Sequence, residues 1–241
     1  MLVRLNKFLS RAGAASRREA DRMIQEGRIK VNGRVVEELG EKIEDDEDIV
    51  ELDGRRVKNE ERKVYALLNK PVGAVVSLKD PFGRMTVRDL VSGLQVRVFP
   101  VGRLDVATSG AILLTNDGEL AFRLAHPKFE VQKVYSVKVD GVPDDSALDK
   151  LRKGIFLEGR KTASAKASVV KRSPGHALVK LEIHEGRKRE VRKMFEALGY
   201  RVSALKRTHF AGLTLEGLKP GQWRTLDAAE VRKLRKRAGL A

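Results

Sequence analysis

The hydrophobic positions change period several times along the chain, and each change marks an element. Leu5, Phe8, Leu9 and Ala12 recur at helical spacing and predict a short helix that Gly13 ends, with Arg4, Lys7 and Arg11 on another face. Ser16-Arg17-Arg18-Glu19 is a capping box, so a second helix starts there and carries Ala20, Met23 and Ile24 inward until Gly27. Ile29-Lys30-Val31, Asn32-Gly33 and Arg34-Val35-Val36 predict a β-hairpin with a type I′ turn, and Ile49–Leu52 one more strand turning at Asp53-Gly54. Residues 59–63 are charged and poor in apolar side chains. The expected organisation is an N-terminal domain at 1–60, a linker at 61–63, a larger domain at 64–232 and a basic C-terminal tail at 233–241.

The larger part opens with an apolar strand from Val64 that Pro71 ends, a turn at Asp80-Pro81-Phe82-Gly83 and a short helical segment over Thr86–Leu90. A loop carrying Asp105 precedes the apolar run Ala111–Leu114, and a helix over Glu119–Ala125 is closed by His126-Pro127. Lys133–Val139 alternates with period two, so Tyr135 shares an inward face with Val137 and Val139. Asp144–Lys153 predicts a helix, followed by strands at 155–157, 162–170 and 176–184. A further helix starts within Glu185–Met194, with Val191, Met194, Phe195 and Leu198 facing the core and Arg192 at the margin of that face. Residues 203–207 return to the sheet, and Glu230–Arg237 forms a basic helix. The fold class is α+β: a small helix-pair and hairpin domain, then a mostly antiparallel mixed sheet flanked by helices.

Charge adds a class of partner to this outline through its distribution. Lys plus Arg number 49 against 33 acidic residues, for a net charge of +16, yet residues 37–53 alone hold ten acids and one lysine. That segment carries −9 and leaves +25 on the remainder, an asymmetry suited to a polyanion on one surface and solvent on another. No stretch approaches the roughly 20 apolar residues of a membrane span, no signal peptide is visible, and the cytoplasm is the default address. The absence of cysteine removes disulfides, thiol catalysis and cysteine metal sites together.

Gly102-Arg103-Leu104-Asp105 sets a carboxylate beside an arginine just ahead of a buried strand, which is how a fold presents one reactive acid on a rigid support. Most loop aspartates merely cap a turn, so the neighbours decide. Arg187, Lys188 and Arg189 crowd the expected helix start, where an RNA phosphate or a catalytic carboxylate would be welcome.

Two sets of motifs carry a family resemblance. Arg4–Leu9, Ala15-Ser16-Arg17-Arg18-Glu19-Ala20 and Gly27–Gly33 resemble the small RNA-binding domain named after ribosomal protein S-four, over about residues 2–60. Leu68-Asn69-Lys70-Pro71-Val72-Gly73, Gly102–Asp105 through Thr115–Gly118, Lys133-Val134-Tyr135 and Glu185–Met194 resemble the pseudouridine synthases, and within them the family that modifies ribosomal RNA. Carried over, the resemblance implies Asp105 as the catalytic aspartate, with Tyr135 as the active-site tyrosine and Arg192 as the aspartate's basic partner. It also implies Leu205 as an apolar residue near the target base, with Arg103 supporting the site. Arg4, Lys7, Arg11, Ser16, Arg17, Arg18, Arg22, Lys30 and Asn32, with Arg187, Lys188 and Arg189, are the implied RNA contacts. Ala107, Ser109 and Glu190 depart from residues common in relatives, Glu190 standing where some have glutamine.

Isomerising a uridine to its C-glycoside changes no oxidation state and needs no energy source, so the expectation is no metal and no cofactor. The implied partner is ribosomal RNA, leaning toward the 23S large-subunit species with small-subunit targets open, and the sequence asks for nothing beyond a monomer. Two other readings stay open on the residues alone: a non-catalytic RNA-binding or assembly factor, and a hydrolase pairing Asp105 with His126 or His184.

Overall fold

The structure, a computed structural model, describes residues 1–58 and 62–240. Residues 59–61, where the charged connector and the first linker position were expected, lie outside the described residues. The chain forms two compact units: Met1–Val64 with Gln95–Arg97 and Asn116–Gly118, and Tyr65–Leu94 with Val98–Thr115 and Glu119–Ala241.

In the first unit, strand β1 (Leu2–Arg4) leads into α1 (Leu5–Arg11), then α2 (Arg17–Gln25), β2 (Ile29–Val31), β3 (Arg34–Val36), β4 (Lys42–Glu44), β5 (Val50–Leu52) and β6 (Arg55–Arg56). The capping box forms in both directions: the Glu19 amide donates to Ser16 Oγ at 3.2 Å, and the Ser16 amide to Glu19 Oε2 at 3.3 Å. Asn32 and Gly33 have φ of 50° and 81°, the two successive positive values a type I′ turn demands. Leu5, Phe8, Leu9, Ala20, Ile24, Ile29, Ile43 and Val50 make one core.

The pairing of β1 with β4 was not legible in the sequence. β4 is three residues long inside the acidic segment, and its single apolar side chain, Ile43, offers no alternation to read. Part of that segment is spent inside its own unit: Asp45 pairs with Arg11 at 2.9 Å, and Asp53 with Arg28.

The second unit is built on a nine-stranded sheet. Its elements are β7 (Tyr65–Lys70), α3 (Val87–Leu90), β8 (Phe99–Pro100), β9 (Thr108–Thr115), α4 (Gly118–Ala125), β10 (Lys133–Asp140) and α5 (Asp145–Lys153). There follow β11 (Phe156–Leu157), β12 (Arg160–Lys161), β13 (Lys166–Ser173), β14 (His176–Ile183), α6 (Glu190–Glu196), β15 (Val202–Phe210), β16 (Leu213–Thr214), β17 (Trp223–Thr225) and α7 (Ala228–Arg237). The sheet order is β13-β14-β10-β15-β9-β7-β17, with β16 on β15 and β8 on β9. Its pairings are antiparallel except that of β9 with β15.

Two boundaries differ from expectation. The strand expected over 162–170 starts late, at Lys166, and runs to Ser173, because the Thr162 and Ala165 amides donate to the Ile155 and Arg152 carbonyls instead; just before it, Glu158 and Gly159 at φ 52° and 75° turn β11 back onto β12. The expected basic tail from 233 is no separate appendage: α7 runs through that position, and Leu234 and Ala238 are buried with Leu67, Leu113, Leu124 and Phe210. One face of the basic helix closes the core and the other holds its cations in water.

Candidate active site

The parallel pairing of β9 with β15 decides where the reactive side chains meet. β15 lies between β9 and β10, with Leu205 opposite Thr108 on one side and Arg207 opposite Tyr135 on the other. The loop ahead of β9 therefore delivers Asp105 beside residues some 30 and 100 positions further along the chain. Gly110 makes the approach of the two strands possible. Its φ is +114°, and a Cβ there would stand 2.1 Å from the Arg207 carbonyl oxygen.

Arg103, Asp105, Tyr135 and Leu205 line one cleft of about 460 Å³, within the range of small-ligand sites. Asp105 is half-buried, Tyr135 and Leu205 are buried, and Arg103 is exposed at the rim. A carboxylate at the mouth of an apolar-floored cleft can meet a sugar while the aromatic ring and the leucine hold a flat base away from water. Neither His126 nor His184 lines this cleft. His126 is exposed and its Nδ1 accepts from the Lys128 amide, which removes the structural basis for a hydrolase pair.

Arg192 sits differently from expectation. Its buried guanidinium donates to the carbonyl oxygens of Val202 and Ala107, both at 3.0 Å, and among the described residues no ion pair joins it to Asp105. Nη1 and Nη2 are spent on backbone behind the loop, two residues beyond the carboxylate, while Nε is buried without a hydrogen-bond partner among the described residues. Burial lowers its pKa, as does the like charge of Arg189, while the charge of Asp105 opposes both.

Lys70 completes this support, although the sequence pattern assigned it no role in the site. It is fully buried, and its Nζ donates to the carbonyls of Pro71 at 2.9 Å, Thr108 at 2.8 Å and Val106 at 3.5 Å. Burial pushes its pKa down to about 8 against the pull of Asp105. Two cations thus hold three successive carbonyls, those of residues 106, 107 and 108. The available signal was a lysine closing an otherwise apolar strand immediately before Pro71.

Three more buried ionisable groups in the cleft wall, Lys133, Glu190 and Arg207, went unread as site residues. Lys133 Nζ donates to the Val131 and His184 carbonyls, and burial, then the charge of Arg207, bring its pKa to about 8. Burial, together with its hydrogen bond to Glu185, pushes Glu190 up to about 7. Glu185 moves the other way: burial works against ionising it, yet its hydrogen bond with Glu190, the Ala163 backbone and the charges of Arg187 and His184 hold its pKa below the usual value.

Helix α6 starts at Glu190, just after the Arg187–Arg189 cations that were expected at its first turn. Arg189 is left-handed at φ 55°, and the Glu190 amide closes a turn onto the Arg187 carbonyl. Arg187, Lys188 and Arg189 therefore line the cleft from a loop rather than from a first helical turn. Arg187 is tied to the Arg160 and Lys161 carbonyls, and Arg189 pairs with Glu196 at 3.8 Å.

In the first unit, Arg4, Lys7, Arg18 and Lys30 are exposed and have no partner among the described residues. Arg11 pairs with Asp45, Arg17 reaches Asn6, and Arg22 pairs with Glu26. Ser16 is occupied by its cap, and Asn32 donates to Asp48 while accepting from the Ile49 amide, so both serve the fold.

Against known proteins, residues 64–197 match the family model described as RNA pseudouridylate synthase, and residues 3–50 that of the S4 domain. The chain is 48% identical over 236 residues to ribosomal large subunit pseudouridine synthase B of Bacillus subtilis (strain 168), covering 97% of this chain and 96% of that one. It is 45% identical over 241 residues to an uncharacterized RNA pseudouridine synthase of Aquifex aeolicus (strain VF5), covering 100% and 96%. A crystal structure of a pseudouridylate synthase matches with a TM-score of 0.69 at 32% identity, covering 96% of this chain and 99% of the other.

Proposed function

The chain belongs to the RNA pseudouridylate synthase family, and from that premise we propose that it isomerises a uridine of large-subunit ribosomal RNA, with Asp105 as the catalytic group. The observation that carries the assignment is Asp105 on a loop braced by Lys70 and Arg192 at the mouth of a cleft that Tyr135 and Leu205 line. The large-subunit target rests on the name of the Bacillus subtilis relative, aligned over almost the whole of both chains.

The reaction asks little beyond these residues. The bond from ribose C1′ to N1 breaks, the base turns, C5 joins C1′, the C5 proton leaves and N1 takes one up. The Asp105 carboxylate meets the sugar at the moment it becomes electron-poor, either by bonding to it or by balancing its charge. Because the isomerisation is redox-neutral and releases nothing else, a single chain without cofactor suffices, acting in the cytoplasm where ribosomal RNA is modified. Extruding the uridine costs a few kcal/mol of stacking. The loop cations at 187–189 and the exposed Arg4, Lys7, Arg18 and Lys30 are the groups we assign to phosphate contacts that offset it.

The test is tritium release from large-subunit and small-subunit ribosomal RNA labelled at uridine C5. Release from the large-subunit RNA, abolished by Asp105→Asn, is the expected result. Release from the small-subunit RNA alone overturns the target, and undiminished release by the variant overturns the residue.

A further inference from the structure

Arg207 holds a donor that the fold does not use. The residue is 2% exposed; its Nε donates to the Ala111 carbonyl at 2.7 Å and its guanidinium lies 4.7 Å over the Phe210 ring. Its Nη2 is buried and has no hydrogen-bond partner among the described residues. A guanidinium cannot shed its charge, and a buried charged donor left unpaired is among the costliest arrangements a fold can carry. Such a group in the wall of a cleft is a place kept for an acceptor that arrives with the ligand.

The surroundings specify that acceptor. Arg207 stands opposite Tyr135 across the β10–β15 pair, and both line the cleft that holds Asp105. Lys133, also in the wall, is near enough for the two positive charges to be felt by each other, and Glu190, the acid on that side, is itself buried and bonded to Glu185. Tyr135, Lys133 and Arg207 thus project from the same face of the β10–β15 pair, so the wall that carries the aromatic ring is electropositive, while the half-buried carboxylate of Asp105 lines the same cleft. A base lying against Tyr135 would turn its carbonyl edge to the first, with its sugar near the second.

We infer that Arg207 is a further catalytic residue, whose Nη2 donates to a carbonyl oxygen of the extruded uracil and stabilises the anion formed when the glycosidic bond breaks. This assignment rests on the function proposed above. When C1′–N1 breaks, the bonding pair stays with uracil and spreads onto its carbonyl oxygens, and a preorganised cation in a water-poor site is most effective against charge that develops there. No proton is needed from Arg207 at any step. The C5 proton is lost after rejoining, as in the parent reaction.

The experiment compares wild type with Arg207→Gln in single-turnover reactions on the same large-subunit RNA fragment carrying uridine or 5-fluorouridine at the target, read on both as loss of the N1-linked nucleoside because a C5 fluorine cannot leave as the C5 proton does, alongside RNA affinity by filter binding. Fluorine stabilises the departing anion by itself, so dependence on Arg207 should shrink. Expected is a loss of about 100-fold on uridine, the scale of removing one such donor, at least tenfold less on 5-fluorouridine, and RNA affinity within about threefold of wild type. Equal losses on both substrates, or turnover close to wild type, overturn the assignment. So does a loss that appears chiefly as weakened RNA binding, which makes Arg207 a phosphate contact. Should the glutamine variant not fold, Arg207→Lys carries the same comparison, since it keeps the charge but loses the fork; a deficit insensitive to fluorine again overturns it. A wild-type enzyme that makes pseudouridine in no ribosomal RNA overturns the proposed function and this assignment with it, whereas an active wild type with an equally active variant overturns only the assignment.

Discussion

The Arg192 guanidinium donates to the carbonyl oxygen of Ala107 at 3.0 Å, so the cation of the α6 motif governs the Asp105 loop through its backbone rather than through the carboxylate. Removing it strands two carbonyls, those of Ala107 and Val202. Arg192→Ala is expected to lose about 2–4 kcal/mol of stability, at roughly 1–3 kcal/mol for each buried group left unpaired. Turnover should fall by about 100-fold with RNA affinity unchanged. Thermal denaturation and single-turnover kinetics check the two effects separately. A variant as stable as wild type would mean that those bonds do not hold the loop.

Asp105→Asn keeps the shape of the side chain and removes its charge. Pseudouridine formation should drop by about 10³-fold or more, the scale seen when a reacting group is deleted. Filter binding should give an affinity within about threefold of wild type, because Asp105 is half-buried in the cleft and its proposed role sets it against a sugar rather than a phosphate.

Glu190 makes stability depend on pH in a direction opposite to that of most carboxylates. Its folded pKa, about 7, lies above the ordinary glutamate value of 4.5, so the folded state binds the extra proton. The stabilisation is complete below about pH 4.5 and is lost as the pH rises toward 7. Glu190→Gln, which is permanently neutral and can still donate to Glu185, should match wild type at pH 4.5. At pH 8 it should be more stable by about 1–3 kcal/mol. Melting temperatures of both proteins across that range give the comparison, and parallel curves would refute the raised pKa of Glu190.

The C-terminal helix has a core role that its composition hides. Leu234 is 1% exposed while Lys233 is in solvent. Leu234→Ala should cost about 2–4 kcal/mol, as buried leucine truncations do, and Lys233→Ala less than about 0.5 kcal/mol. Denaturant midpoints distinguish them.

If the exposed cations of the first unit touch phosphate, replacing Arg4, Lys7, Arg18 and Lys30 together by alanine should lower the slope of log affinity against log salt by about 0.7–0.9 for each phosphate no longer neutralised. Titrations at several salt concentrations measure it, and an unchanged slope removes those residues from the interface.

Much of this protein was readable where the signal is local. The Ser16–Glu19 cap, the Asn32-Gly33 turn, the period-two face of Tyr135 and the loop that presents Asp105 each depend on residues within a few positions of one another. Their backbone chemistry is the same in any context. The pairing of β1 with β4 was missed because three-residue strands carry too little pattern, and the late start of α6 because nothing in 185–189 announces a left-handed arginine.

By itself the sequence determined most of the element types, the fold class and the family, and it nominated the acidic group, all through short motifs in a fixed order. The tertiary structure alone decided what surrounds that group. The parallel register of β9 and β15 places Arg207 and Leu205 beside the loop, and burial turns Lys70, Lys133 and Glu190 from ordinary charges into strongly perturbed ones. Register and desolvation arise from contacts between residues tens to a hundred positions apart, and no local pattern encodes which of many cations will be shut away from water.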